Sequence, residues 1–264
     1  MDMEKNKKVK KEWNKAGQIT VFIILAVMIV VVLILLFRDK AGISFIITKP
    51  ESPADKISKC VKDVAGEGLV LIKNQGGYLA PENSYLYLGN KVGYLCYAEE
   101  YYMQCVMQKP MLKTDIEKEL KTYLDPKIKD CIDSVKGSLE NQNYAVDYKN
   151  PETSIKLAPS SIIIDINLDL KISKDTTTSY KNIKVDISSK LYEFAMTAMS
   201  IANWEARYGD SETMSYMFYY PTLKVEKKAR DEGTRIYILT DRESGENFMF
   251  AVRSYAIPSG VTGR

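Results

Sequence analysis

Histidine is absent from all 264 residues of the chain. Its absence removes the commonest general base near neutral pH, the imidazole ligands of metal sites and any nucleophile activated by histidine. Carboxylate or lysine chemistry remains open, but the neighbouring acidic residues Glu99 and Glu100, and Glu117 and Glu119, are typical of solvated faces. The sequence therefore predicts a protein that is not an enzyme, with no catalytic residues, no metal site and no cofactor.

Excess positive charge is confined to the first residues of the chain. Residues 1–17 carry six lysines and three acidic residues, and this difference of three equals the whole formal charge of +3. Everything after Gly17 is therefore neutral overall. Because a domain that binds nucleic acid shows a basic surface of its own, we predict no nucleic-acid partner.

A long apolar run follows this basic segment. The nineteen residues from Ile19 to Phe37 carry no charge, and at 1.5 Å per residue such a helix spans roughly the hydrocarbon core of a bilayer. We therefore predict a cytoplasmic tail (1–17) and an uncleaved transmembrane signal-anchor (18–38). The lysine-rich side stays in the cytoplasm, which predicts a single-pass protein of the cell membrane with the lipid bilayer as a partner and an extracellular C-terminal domain.

The segment at the start of the apolar run resembles the class III signal of archaeal type IV pilin-like proteins. Its sequence is Lys15-Ala16-Gly17-Gln18-Ile19-Thr20. The resemblance implies cleavage after Gly17, with Gln18 as the first residue of a helix that packs into a filament core. Phe22 stands where many pilins carry a glutamate. We therefore prefer the plain anchor and keep the processing site Gly17–Gln18 as the alternative.

After the anchor we predict a linker (39–53), followed by a helical subdomain (54–142). A Ser52 cap and Pro53 predict a helix that ends near Gln75. Tyrosine-rich runs on either side of Gly89 predict a β-hairpin. A capping-box pattern at Thr114 and Glu117 and an Asp125-Pro126 break predict two further helices.

Residues 143–257 have the pattern of a β-rich subdomain, followed by a flexible tail (258–264). Alternating apolar residues from Ser161 to Lys174 predict a half-buried strand, and Ile183 to Ile187 predict its partner. A helix follows from Leu191, then three strands joined by short turns, which indicate an antiparallel meander. The fold class is therefore α+β, with a mixed or antiparallel sheet and one or two packed helices.

Four cysteines, Cys60, Cys96, Cys105 and Cys131, all follow the apolar run. An even number of cysteines outside the cytoplasm favours two disulfides. Of the three connectivities we prefer Cys60 with Cys131, which joins two helices, and Cys96 with Cys105, which closes the hairpin region. Free thiols and a thiolate metal site are the alternatives, although the spacing lacks a zinc knuckle.

The hairpin region is dense in tyrosine, and Tyr85, Tyr87, Tyr94 and Tyr97 form a candidate binding surface. Tyrosine offers a large amphipathic area for stacking on a glycan or a peptide. The alternative is that these side chains pack across neighbouring strands.

Several short motifs give the chain a resemblance to archaeal membrane-anchored surface proteins of unassigned function. They are the Gly-Gln-Ile-Thr start of the anchor, Glu67-Gly68-Leu69, Gln75-Gly76-Gly77-Tyr78, Tyr237 to Asp241 and Phe248 to Arg253. The resemblance implies location and architecture. We predict a structural or interaction protein of the cell surface with protein or glycan partners, and possible homo-oligomers. A pilin-like subunit and an anchored envelope enzyme using carboxylates are the alternatives.

Overall fold

The structure is a computed structural model that describes residues 22–33, 51–100 and 103–254. Its helices are α1 (22–33), α2 (Pro53–Asn74), α3 (Leu112–Glu140), α4 (Leu191–Tyr208) and α5 (Thr213–Tyr219). Its strands are β1 (Ser84–Tyr87), β2 (Asn90–Tyr97), β3 (Val106–Met107), β4 (Ala145–Asp147), β5 (Glu152–Ala158), β6 (Ser161–Ser173), β7 (Thr177–Ser188), β8 (Leu223–Ala229), β9 (Thr234–Asp241) and β10 (Asn247–Arg253). The α+β class is therefore confirmed.

The predicted transmembrane helix over 18–38 requires correction. Among the described residues, none of the helices is both long enough and apolar enough to cross a membrane. The prediction of a single-pass signal-anchor was therefore wrong. The predicted tails, 1–17 and 258–264, and most of the linker lie outside the described residues.

Helix α2 begins where the sequence predicted. The hydroxyl of Ser52 accepts a hydrogen bond from the backbone N–H of Asp55. The carboxylate of Asp55 accepts one from the backbone N–H of Ser52, so both hydrogen bonds of a capping box are present. One face of the helix is buried, from Ile57 to Ile72. Gly76 and Gly77 follow it at positive φ, a region that glycine enters without strain.

Helix α3 is continuous, and the predicted break at Asp125-Pro126 was wrong. Proline removes one backbone hydrogen bond, but Leu124 and Ile128 on either side of it are fully buried. The apolar stripe therefore crosses the proline without interruption. The predicted capping box was also wrong, because α3 begins at Leu112 without a side-chain cap.

Disulfide bonds join the elements that sequence analysis paired. Cys60 of α2 is bonded to Cys131 of α3, and Cys96 of β2 is bonded to Cys105 just before β3. The described residues include no free cysteine. The first bond holds α2 against α3 along their buried faces, and the second closes a short loop at the edge of β2.

Strands β4 to β7 form one antiparallel sheet. The central strand β6 pairs with β7 on one side and with β4 and β5 on the other. Its alternating residues Ile162, Ile164, Ile166, Leu168 and Leu170 are all buried, as the pattern predicted. This face of the sheet meets the helices, because helix α3 contacts β5 and β4.

The other sheet is mixed, in the order β1-β2-β10-β9-β8, with β3 paired to β2. The hairpin β1–β2 and the meander β8–β9–β10 were predicted. Their union was not: β10 runs parallel to β2, with Arg253 opposite Tyr97. Helix α4 contacts α3 and strands of both sheets, so the predicted segments 54–142 and 143–257 both contribute to one continuous apolar core.

Candidate binding surface

Helix α5 places apolar side chains in solvent. None of its residues is buried, and Met214, Phe218 and Tyr219 are 72%, 80% and 74% exposed. Tyr220, the residue after the helix, is 59% exposed. Exposed apolar side chains that lie together mark sites of interaction, and aromatic residues and methionine are the types enriched there. We call this face of α5, together with the outer face of α4, the α4–α5 surface.

Helix α4 contributes an aromatic pair to this surface. Trp204 is 50% exposed, and its ring centroid lies 4.7 Å from that of Tyr208, one helical turn later. Side chains four positions apart lie on the same face of a helix. The guanidinium carbon of Arg207 lies 6.0 Å from the centroid of the Tyr208 ring. The C-terminal half of α4 therefore offers flat, amphipathic rings to solvent.

Three depressions lie along the α4–α5 surface. The central one, of about 500 Å³, is lined by Ser200, Trp204, Ser211, Glu212, Ser215, Tyr216, Tyr219 and Tyr220. A second, of about 270 Å³, is lined by Lys190, Tyr192, Glu193, Phe194, Met196, Thr197, Tyr220, Thr222, Leu223 and Asp241. A third, of about 310 Å³, is lined by Asn203, Trp204, Arg207 and Tyr208. Trp204 and Tyr220 each line two of the depressions, which therefore lie next to one another, and we call this series of depressions the track.

The wall of the central depression contains an unsatisfied hydroxyl. Ser211 is 1% exposed, and its Oγ has no hydrogen-bond partner among the described residues. Such a buried polar atom costs about 1–3 kcal/mol when it stays unpaired. The backbone carbonyl of Ser211, in contrast, accepts a hydrogen bond from Lys227 Nζ at 2.9 Å. A group that enters the depression and bonds to the hydroxyl would recover part of that energy.

The second depression contains carboxylate oxygens that can accept further hydrogen bonds. Oε1 of Glu193 accepts from the backbone N–H and the hydroxyl of Ser160, at 3.0 and 3.1 Å. Its Oε2 is buried and has no partner among the described residues. Asp241, in the same wall, is also buried. This end of the track therefore favours a ligand that donates hydrogen bonds.

The loop between α4 and α5 is held from the mixed sheet. Arg235 of β9 donates to the carbonyl of Gly209 at 2.8 Å, and Gly209 takes the left-handed conformation that ends α4. Lys227 of β8 forms an ion pair with Asp210 at 2.5 Å. Glu212 then caps α5 by accepting from the N–H of Met214. These contacts fix the position at which α5 leaves the core.

The N-terminal end of α4 is held by a carboxylate from the β9–β10 turn. Glu246 accepts hydrogen bonds from the backbone N–H of Lys190 at 2.7 Å and from the Ser189 hydroxyl at 2.5 Å. It also pairs with Lys73 of α2 at 3.0 Å. A negative charge at a helix N-terminus is favourable because the first N–H groups point toward it. Both ends of α4 are therefore anchored, which makes the track a preformed surface.

No protein-family model, curated protein or solved structure matches the chain. The resemblance to archaeal membrane-anchored proteins stays a prediction.

Two of the acidic residues considered for catalysis, Glu117 and Glu119, have structural contacts. Glu117 accepts from the N–H of Leu157 at 2.8 Å and pairs with Lys113. Glu119 accepts from the N–H of Leu79 at 3.2 Å and pairs with Lys109. Each carboxylate therefore ties helix α3 to a neighbouring segment of backbone. In the portion of the chain that the structure describes, no group of three or more metal-binding side chains occurs.

The predicted tyrosine surface is assembled on the outer face of the mixed sheet. Tyr85, Tyr87 and Tyr97 pack against a small apolar cluster that contains Tyr94. Tyr94 is buried, and its hydroxyl is hydrogen-bonded to that of Thr234.

Arginine side chains lie over two of these tyrosines. The guanidinium carbon of Arg230 is 4.7 Å from the centroid of the Tyr87 ring, and that of Arg253 is 5.3 Å from the centroid of the Tyr97 ring. Arg253 Nη1 also donates to the hydroxyl of Tyr97 at 2.8 Å. Intramolecular contacts therefore occupy ring surface that stacking on a ligand would need. That this face is a binding surface stays a prediction.

One further prediction concerns the N-terminal segment of the chain. The processing site Gly17–Gln18 lies outside the described residues. Sequence analysis did not predict the α4–α5 surface. The available signal was the run Met217 to Tyr220, four large side chains without an alternating pattern. Such a run is also typical of a buried strand, so the pattern alone did not distinguish the two.

Proposed function

We propose that residues 51–254 form a non-catalytic binding module that works outside the cytoplasm and takes its ligand on the α4–α5 surface. The observation that carries the proposal is that α5 has no buried residue and leaves Met214, Phe218 and Tyr219 mostly exposed. Exposing these apolar side chains to water costs free energy unless a ligand covers them. The anchored ends of α4 support the same role, since a rigid surface loses less entropy on binding.

The location outside the cytoplasm is supported by the disulfides. Two bonds take up all the cysteines of the chain, and disulfides persist in oxidising compartments while thiols stay reduced in the cytosol. The non-catalytic role is supported by the contacts of Glu117 and Glu119, which bind backbone N–H groups instead of facing a depression.

Site-specific photocrosslinking tests the binding surface. The full chain carries benzoylphenylalanine in place of Phe218 and is irradiated in cells that produce it. Leu86, which is 70% exposed on the β1–β2 hairpin, is the matched control because Phe218 is 80% exposed. We expect a discrete adduct from position 218 at several times the yield from position 86. Equal yields from the two positions, or no adduct from 218, would contradict the proposal.

A further inference from the structure

We propose that the α4–α5 surface binds a neutral oligosaccharide chain laid along helix α4. This inference rests on the proposed function and names the class of ligand. It follows from the shape of the track, the chemistry of its walls and its charge.

The track follows one helix. It runs beside α4, an 18-residue helix that at 1.5 Å per residue is about 27 Å long. Trp204 lines both the third depression and the central one, and Tyr220 lines both the central one and the second. A series of neighbouring depressions along a helix fits a linear polymer better than a compact small molecule, which would occupy one depression alone.

The walls combine aromatic rings with hydroxyl groups. Trp204, Tyr219 and Tyr220 line the central depression beside Ser200, Ser211 and Ser215. A pyranose ring has an apolar C–H face and a rim of hydroxyls. Its face can stack on an aromatic ring, and its rim can exchange hydrogen bonds with serine side chains. The central depression therefore contains both of the chemistries that a sugar ring presents.

The polar atoms that lack partners favour the same ligand. Oγ of Ser211 is buried in the central wall, and Oε2 of Glu193 is buried in the second depression, each without a partner among the described residues. A carboxylate oxygen can only accept hydrogen bonds, and a hydroxyl can both accept and donate them. Both atoms are closed off from solvent in the free protein, so a sugar hydroxyl that displaces the side chains covering them can satisfy either one, whereas an aliphatic or aromatic ligand can satisfy neither.

The charge of the track argues against an anionic polymer. The central depression contains one charged residue, Glu212, and the second contains Glu193 and Asp241 with the single cation Lys190. Arg207 lies in the third depression. A uronic-acid or phosphate polymer would place its charges beside these carboxylates, and like charges at close range are unfavourable. The ligand class is therefore a neutral glycan.

Titration of the full chain with neutral oligosaccharides tests the inference. The probes are gluco-oligosaccharides with β linkages, their α-linked counterparts and N-acetylglucosamine oligomers, each in a series of increasing length. Trp13 is replaced by phenylalanine so that Trp204 is the only tryptophan. We expect at least one series to change the fluorescence of Trp204, with affinity rising with chain length, and a carboxylated analogue of that series to bind at least tenfold more weakly.

Three variants locate the site. Trp204→Ala is expected to lower the affinity about tenfold, and Trp204→Phe to restore part of it, because stacking needs a ring. Ser211→Ala is expected to weaken binding about fivefold without lowering the thermal stability of the free protein, since it removes an unpaired oxygen. Leu86→Ala, at an exposed position of the β1–β2 hairpin, is the control and should leave the affinity unchanged. Calorimetry measures binding for the variants that lack Trp204.

The outcomes separate this inference from the proposed function. If no neutral series binds, or if binding survives Trp204→Ala unchanged, the oligosaccharide assignment is wrong. An adduct from position 218 that consists of a polypeptide, in the absence of saccharide binding, would leave a binding module whose ligand is a protein. Loss of the adduct and of saccharide binding together would overturn both.

Discussion

The hydroxyl of Tyr237 donates a hydrogen bond to Oε1 of Glu205, and both side chains are fully buried. Arg235 donates to the other carboxylate oxygen at 2.6 Å. The hydroxyl of Ser254 donates to the backbone carbonyl of Glu205 at 2.8 Å. Strand β9, the end of β10 and helix α4 are therefore tied together at the point where α4 approaches the α4–α5 loop.

Replacing Tyr237 by phenylalanine tests the contribution of this contact. The change leaves one oxygen of a buried carboxylate without its donor, which costs about 1–3 kcal/mol. We expect the free energy of unfolding, measured by urea denaturation and circular dichroism, to fall by that amount. Tyr219→Phe, at an exposed position, is the control and should change it by less than about 0.5 kcal/mol. An unchanged value for Tyr237→Phe would show that water replaces the phenol.

The pH dependence of stability should report on Glu205. Burial raises the pKa of its carboxyl, while the hydrogen bond from Tyr237 and the charge of Arg235 act in the opposite direction. With a raised pKa, the folded protein keeps a proton that the unfolded chain, with a glutamate pKa of about 4.3, has already released. The stabilisation from this proton is complete below the unfolded pKa and is lost as the pH rises through the folded pKa.

Glu205→Gln removes this titration and leaves the other groups in place. We expect the free energy of unfolding of the unsubstituted chain, minus that of the variant, to increase as the pH is lowered from about 7 to about 5. A difference that stays constant or decreases over the same range would mean that the ion pair with Arg235 outweighs burial.

Alkaline pH should destabilise the protein through Tyr78. Burial, followed by the charges of Glu119 and Asp115, raises the pKa of its phenol to about 12, and the hydroxyl donates to the carbonyl of Tyr94 at 2.9 Å. The unfolded chain releases this proton near the ordinary tyrosine pKa of about 10. Stability from this group is therefore present below pH 10 and falls by about 1.4 kcal/mol per pH unit between about 10 and 12.

Tyr78→Phe should make the decline of stability shallower by that slope. Urea denaturation at a series of alkaline pH values measures it for both proteins. Parallel declines would show that the phenol titrates equally in the folded and unfolded chains.

The two disulfides should differ in their contributions. Cys60 and Cys131 are 71 positions apart, and Cys96 and Cys105 are 9 apart. Loop-closure entropy of the unfolded chain predicts about 4.4 kcal/mol for the longer loop and about 2.6 kcal/mol for the shorter one.

Paired replacement by alanine tests the difference. We expect Cys60→Ala with Cys131→Ala to lower the free energy of unfolding more than Cys96→Ala with Cys105→Ala, when both are measured without reducing agent. Equal losses would indicate that local packing outweighs chain entropy.

Predictions that depend on neighbours in sequence were the accurate ones. The cap at Ser52, the hairpin around Gly89 and the alternation of β6 are confirmed, because a cap, a turn or a strand pattern is specified within a few residues. Leu88 and Gly89 both have positive φ, as a two-residue hairpin turn requires. The break at Pro126 was wrong because burial of Leu124 and Ile128 outweighed the local preference of proline.

The pairing of strands from distant segments could not be predicted. The parallel contact of β2 with β10 joins Tyr97 to Arg253, 156 positions later. A strand pattern shows which face is apolar and does not show which strand will lie beside it. The same limit applies to the predicted tyrosine surface, where the arginines that lie over Tyr87 and Tyr97 come from far along the chain.

The sequence by itself determined the lack of histidine chemistry, most helices and strands, and the four cysteines available for two bonds. The tertiary structure alone decided that the aromatic run ending at Tyr220 stays outside the core and that the buried Ser211 hydroxyl has no partner within the part of the chain that the structure describes. The physical reason is competition for space. Apolar residues from both sheets, α2, α3 and α4 fill one core, and only the complete packing shows which apolar side chains remain in water.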